Sequence, residues 1–200
     1  MKMTYIPGDL FKVVDDLFKQ GKEPVAAHCI AADFGMSGGI AAQFVKKMNM
    51  RNLLHEAMKA AMERNKDIQF VLNPYQQSYG GTYQGLVGEV VKVSHVYNLI
   101  TKDWTYEKPT YKDFIAALES LKKAMVESGK NLLVIPKLGC GIDGLEWPAV
   151  SRLIKYTFEP TDVHVVVCTM DKELPDDLEA AWLEVFGEKY KGYQGEPLPG

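Results

Sequence analysis

Lys102 closes the apolar run Tyr97-Asn98-Leu99-Ile100-Thr101. An amine at the end of a buried strand is partly desolvated, which favours its neutral, nucleophilic form. An ordinary solvated lysine at a strand end is the other reading. Asp143 lies in the glycine-rich stretch Pro136-Lys137-Leu138-Gly139-Cys140-Gly141-Ile142-Asp143-Gly144. There it could serve as a general acid and base, or simply hold a turn. A second stretch of this kind, Gly35-Met36-Ser37-Gly38-Gly39, runs directly into Ile40-Ala41-Ala42-Gln43-Phe44. A glycine loop feeding a helix turns backbone N–H groups toward anions, and the helix dipole adds favourable potential. Glycine suits such a loop because a Cβ would keep a diphosphate off the backbone and because some positions need positive φ. Two loops of this kind in one small domain could clamp a diphosphate from both sides; the plainer reading is two tight strand-to-helix turns. Neither loop closes with the lysine and hydroxyl residue of a triphosphate-binding loop, and neither has the spacing of the dinucleotide fingerprint. Asp9, directly after Pro7-Gly8, could accept from an exocyclic amine such as that of adenine, or cap a helix beginning at Leu10.

The elements that must position these residues follow from periodicity. Met3–Ile6 reads as a strand. Residues 11–19 have helical spacing, with Phe11, Val14, Leu17 and Phe18 on one side. The nearly continuous apolar run Pro24–Ile30 is that of a strand covered on both faces. Helices are expected over 40–47 and 53–63, strands over 86–93 and 96–101, and a helix over 110–128 that Gly129 ends. Ile115, Leu118, Leu121, Ala124 and Met125 repeat along one face of that helix. Leu132–Ile135 is a short buried strand, 147–158 a helix and Val163–Cys168 a last strand. Residues 66–85, with Tyr75, Tyr79 and Tyr83, read as loops between short strands. The tail from 171 onward carries a short helix over 175–186 and a mobile glycine- and proline-rich end. Strands alternating with helices predict an α/β fold with a central mixed, mostly parallel sheet. Ligands in such folds sit beyond the carboxyl ends of strands, where both glycine loops fall.

Composition narrows the function. The chain has 200 residues, 46% of them hydrophobic and 24% charged, which is the balance of a soluble globular domain rather than a disordered one. A net charge of −3 gives no electrostatic footprint for general duplex binding. No apolar run approaches the roughly 20 residues of a membrane span, and the N-terminus lacks a signal-peptide apolar core. Cys29, Cys140 and Cys168 are far apart and odd in number, so reduced, buried thiols in a cytoplasmic protein are expected. No paired cysteine or histidine spacing suggests a metal site, and no cofactor is expected.

Together these segments resemble macrodomains. Tyr5-Ile6-Pro7-Gly8-Asp9-Leu10-Phe11 is similar to the opening of that family, Ala27-His28-Cys29-Ile30 with Met36-Ser37-Gly38-Gly39-Ile40-Ala41 to its ribose-contacting loop, and Pro136–Asp143 with Leu145-Glu146-Trp147 to its phosphate loop. Asn98-Leu99-Ile100-Thr101-Lys102, followed by Lys108-Pro109-Thr110-Tyr111, resembles the terminal ADP-ribose protein glycohydrolase branch, which includes an antitoxin that strips ADP-ribose from DNA thymidine. The resemblance runs from about residue 3 to 170 and implies a three-layer α-β-α macrodomain over 1–170, with 171–200 as a tail. It implies that Asp9, with Leu10, binds the adenine end and that Ile30 helps hold the base. Met36, Ser37, Gly38, Gly39 and Ile40 would surround the diphosphate and distal ribose, and Leu138, Gly139, Cys140, Gly141 and Ile142 would close over them. Lys102 would attack the anomeric carbon of the opened distal ribose to give a Schiff base, with Asp143 moving the protons.

The implied partner is ADP-ribose, or a protein, nucleic acid or small molecule carrying it, bound by a monomer that does not engage a membrane. Hydrolysis of an ADP-ribosyl linkage to a protein carboxylate, an acetyl ester or a nucleobase is the expected activity. Processing of ADP-ribose 1″-phosphate by a phosphatase, and sequestration by a non-catalytic module, are the alternatives. Two positions depart from the branch: Ala31 stands where a serine is frequent, and Gly35 where an arginine or other polar residue is frequent. The 75–83 segment is also longer than the usual connection. These departures bear on substrate identity more than on ADP-ribose binding.

Overall fold

A computed structural model describes residues 1–64, 85–169 and 176–188. Six strands are described: β1 Lys2–Pro7, β2 Val25–Ala31, β3 Val90–Val93, β4 Val96–Lys102, β5 Leu132–Ile135 and β6 His164–Thr169. The described helices are α1 Leu10–Lys19, α2 Gly39–Met48, α3 Met50–Arg64, α4 Tyr111–Glu127, α5 Trp147–Phe158 and α6 Leu178–Phe186. Hydrogen bonding orders the strands β1-β6-β5-β2-β4-β3. The pairs β1–β6, β6–β5 and β5–β2 are parallel and β3–β4 is antiparallel, so the sheet is mixed and mostly parallel, as the alternation of elements predicts. The Tyr75, Tyr79 and Tyr83 segment and the expected mobile end lie outside the described residues.

The chain divides into two compact units. The first comprises Met1–Ala27, Lys122–Leu138 and the described residues from Trp147 onward. It holds β1, β6 and β5 with the start of β2. The valine run of β6 is fully buried, as parallel strands covered on both faces must be. Helix α1 packs on β5 and α6 on β1. The buried stripe of α1 is Leu10, Val13, Val14 and Leu17, an i, i+3, i+4, i+7 set. The expected face that paired Phe11 and Phe18 with Val14 and Leu17 is therefore turned by one position: Phe18 is 42% exposed. A chain rich in apolar residues offers two overlapping stripes, and the one starting at the capped residue wins.

The second unit comprises the described residues of His28–Leu121 together with Gly139–Glu146. It holds the rest of β2, then β4 and β3, with α3 packed on β3 and α2 on α3. All seven residues of β4 are buried. Strand β3 starts at Val90, later than the sequence suggests. Residues 86–89 form a turn instead, closed by Glu89 N–H donating to Leu86 C=O at 3.1 Å, with Gly88 at φ +88°. That is the glycine position of a type II turn. Helix α4 buries Phe114, Ala117, Leu118, Leu121 and Met125, while Ile115 is 38% exposed rather than on the buried face. Thr110 caps α4 by accepting from Asp113 N–H at 3.1 Å, and Gly129, at φ +65°, follows its last turn.

Candidate active site

Lys102 is the last residue of β4, so its side chain leaves a fully buried strand. The lysine side chain is 8% exposed and that of Asp143 14%. Nζ lies 2.6 Å from Asp143 Oδ1 and donates to the Thr105 and Glu107 carbonyls at 3.2 and 3.0 Å. Each of the three ammonium hydrogens thus has an acceptor. These acceptors surround an amine that the strand end has withdrawn from solvent. Removing one member of such a pair leaves an uncompensated buried charge, whose cost is on the order of 3–5 kcal/mol when burial is complete.

Both glycine loops leave the carboxyl ends of their strands, the first after β2 and the second after β5. The first is pinned at several points. Asp33 accepts from Gly35 N–H at 2.9 Å in an Asx turn, and from Thr105 N–H and Oγ1–H at 2.9 and 2.6 Å. Arg51 donates to the Phe34 carbonyl at 3.0 Å and also to that of Gly35. Phe34 and Met36 are held at φ +52° and +46°, a region few non-glycine residues occupy. Thr105 explains Gly35: a Cβ there would lie 1.9 Å from Thr105 Oγ1. The loop ends at Gly38, the N-cap of α2, which carries no side-chain cap bond. The first turn of α2 therefore has no N-cap side-chain acceptor, the condition under which a helix start can take an anion.

The second loop is tied to itself. Leu145 N–H donates to the Gly139 carbonyl at 2.8 Å and Gly144 N–H to that of Gly141 at 3.1 Å. Ile142, 59% exposed, rests on the first loop: a Cβ on Gly38 would fall 2.6 Å from its Cδ1, and one on Gly39 3.4 Å away. The two glycine loops thus converge, with the Lys102–Asp143 pair in the same unit. Around Gly141 a Cβ would meet nothing within 4 Å, so its lack of a side chain is not a packing requirement.

The remaining sequence-selected residues fall into two groups. Ser37, Gly38, Gly39, Ile40, Cys140 and Gly141 are at least partly exposed along the two loops. Ile30, Met36, Leu10 and Leu138 are 3%, 4%, 4% and 1% exposed, so their side chains serve the core and only their backbone could meet a ligand. Asp9 caps α1, accepting through Oδ1 from the N–H groups of Phe11 and Lys12 at 2.8 and 3.1 Å. Its second carboxylate oxygen is the one that could take an amine.

Cys29 belongs beside Asp143, Cys140 and Lys102, although the sequence marks it only as an apolar-run thiol within a stretch that resembles the family. Burial pushes the thiol well up; Asp143 and Cys140 add to that, while Lys102 and a hydrogen bond from Gly139 N–H oppose it. A thiol held protonated in this way is a packing and hydrogen-bonding group, not a nucleophile. Asp33, Thr105 and Arg51 also escaped the sequence reading. Only Asp33 carried a signal, as an Asp two residues before a glycine. A cleft of about 480 Å³ beside Lys22, Lys130, His164 and Glu184 contains none of these residues.

No family model matches the chain. Human ADP-ribose glycohydrolase OARD1 is 32% identical over 173 residues, which are 84% of this chain and 92% of that protein. The solved macrodomain of Thermus aquaticus DarG superposes with a TM-score of 0.59 at 19% identity, over 83% of this chain and 97% of that one. Thermosipho africanus DarTG, solved in complex with ADP-ribose, gives 0.61 at 16% identity over 88% of this chain and 44% of that one.

Proposed function

The chain belongs to the macrodomain family, in the branch of OARD1 and the DarG macrodomains, and from that premise we propose that it binds ADP-ribose and hydrolyses ADP-ribosyl linkages through Lys102 and Asp143. The reading rests on one observation: the Lys102 amine touches the Asp143 carboxylate at 2.6 Å, in the unit where the two glycine loops converge.

The loops do the binding. N–H groups at the start of α2 and along Gly139–Ile142 take the diphosphate, and Ile142 covers it. Gly141→Val tests the cradle, because the added side chain meets open space in the ligand-free protein. Affinity for ADP-ribose, measured by calorimetry, is expected to fall by more than about tenfold, the weight of one or two charge-assisted hydrogen bonds. The melting temperature should stay within about a degree, as for a surface change touching no packed group. Retained affinity would remove the second loop from the binding site.

The chemistry starts when Asp143 takes a proton from the Lys102 ammonium. The neutral Nζ attacks the anomeric carbon of the distal ribose, the bond from that carbon to the acceptor breaks, and Asp143 returns its proton to the leaving acceptor. Opening of the sugar ring then gives a Schiff base between Nζ and the former anomeric carbon, with the ring oxygen as a hydroxyl. Water adds to the imine carbon, the C–N bond breaks, and ADP-ribose and the free amine are regenerated. The net reaction consumes one water and releases ADP-ribose and the protonated acceptor. Borohydride added during turnover is expected to reduce the imine and fix the sugar to Lys102, which peptide mass spectrometry locates. Turnover without any trapped lysine adduct would overturn the lysine mechanism.

A further inference from the structure

We propose that Lys108 is a positioning residue that holds Asp143 against Lys102; the proposal rests on the hydrolase reading above. Asp143 sits between Gly141 and Gly144, and Gly144 has φ +76°. The turn that carries Asp143 is closed by a single bond, Gly144 N–H to the Gly141 carbonyl at 3.1 Å, so ties from outside the loop add to what fixes its 2.6 Å contact with Lys102. The segment that follows β4 supplies them. Lys108 Nζ donates to the carbonyl of Ile142, the residue directly before Asp143. Tyr111 Oη accepts from Glu146 N–H at 3.1 Å, at the far end of the same loop.

This segment is itself firmly seated. Lys102 ends β4, its ammonium grips the Thr105 and Glu107 carbonyls, and Thr105 is fixed to Asp33 by two bonds. Pro109 is buried and Thr110 caps α4. One short stretch of chain therefore carries the nucleophile at one end and the tether of its proton partner at the other. The Gly139 end of the loop has its own ties, to Leu145 and Cys29. Loss of Lys108 should accordingly loosen Asp143 more than the phosphate-facing amides.

A displacement of about 1 Å in a reacting group costs up to roughly a hundredfold in rate. Lys108→Met is therefore expected to lower kcat by about tenfold to a hundredfold, while ADP-ribose affinity by calorimetry stays within about threefold. Lys108→Arg, which can still donate to the Ile142 carbonyl, should restore most of the rate. Amide hydrogen exchange over residues 142–146 of the ligand-free protein should be faster in Lys108→Met than in the parent. Unchanged kcat and unchanged exchange would overturn the proposal. So would an affinity loss that matches the rate loss, since Lys108 would then be a binding residue. A parent protein that turns over no ADP-ribosylated substrate would sink the hydrolase reading alone, because the exchange comparison still decides whether Lys108 restrains the loop.

Discussion

Lys102→Arg is expected to leave ADP-ribose binding within about threefold and to lower hydrolysis by about a thousandfold or more, the usual weight of a covalent nucleophile acting with its acid/base partner. Arginine keeps a cation against Asp143 and so preserves the buried ion pair, but a guanidinium does not shed a proton to become a nucleophile. This variant therefore separates chemistry from folding better than Lys102→Ala, which strands the carboxylate. Asp143→Asn should fall by a comparable factor, since it still accepts a hydrogen bond but no longer exchanges protons. The double variant should be little worse than either single one, because the two groups act as a unit. Calorimetry and single-turnover assays on an ADP-ribosylated peptide read both halves of the expectation. Lys102→Arg working at the parental rate would dispose of the nucleophile.

The second large effect is on stability against pH. His28 is fully buried on β2, stacked on Phe44 at 4.0 Å, with Nε2 2.6 Å from Asn98 Oδ1. The Asn98 amide nitrogen donates to the Val91 carbonyl at 3.0 Å, which turns its oxygen to His28 and makes Nε2 the protonated nitrogen. Nδ1 then carries the lone pair and has no partner among the described residues. Protonating it would bury an unpaired charge, so burial lowers the imidazole from 6.5 to about 4 despite the Asn98 bond. Between those two values the unfolded chain takes up a proton that the folded one refuses, and stability falls as pH drops from 6.5 toward 4. Above that window the stability is fully present. Across it His28 costs on the order of 3 kcal/mol. His164, lowered to about 4 by burial and then by Lys2 and Lys22, acts in the same direction but is half-exposed and contributes less. Urea midpoints at pH 7.5 and 4.5 should show the loss, and His28→Gln should lose distinctly less between the same two pH values. Equal pH dependence in parent and variant would rule out His28 as the source.

The sequence was most informative where one physical requirement dominates. A strand buried on both faces, such as β2, must read as a continuous apolar run, and a glycine loop feeding a helix must break that run in a recognisable way. The α/β class and the convergence of chemistry at the strand ends were legible for that reason. Helix faces were less so. In α1 and α4 the apolar residues outnumber the buried positions, so Phe18 and Ile115 were assigned to stripes that tertiary packing leaves outside. The start of β3 was lost because Leu86 and Val87 are good strand residues, while Gly88 alone decides for a turn. Within the site, type and position left Lys102 and Asp143 open between a chemical and a plain structural role, and the family resemblance singled them out. Asp9 proved to be a helix cap whose second oxygen stays compatible with ligand binding, so the two readings weighed against each other are not exclusive. Arg51 and Thr105 were invisible, because one acts on backbone carbonyls and the other on a carboxylate, both distant in sequence, while Lys108 was marked only as part of a stretch that carries the family resemblance.

The bare Gly38 has a consequence for how the protein exists before it meets a ligand. Most helices begin with a hydroxyl or carboxylate that ties down the first turn; α2 begins with a residue that has no side chain to offer. The first coil of α2 is held by main-chain bonds alone, beginning with Ala42 N–H on the Gly38 carbonyl at 3.2 Å. Under the proposed function, a phosphate bound there would supply the acceptor that this helix start lacks, and the nucleotide would be a piece of secondary structure as much as a cargo.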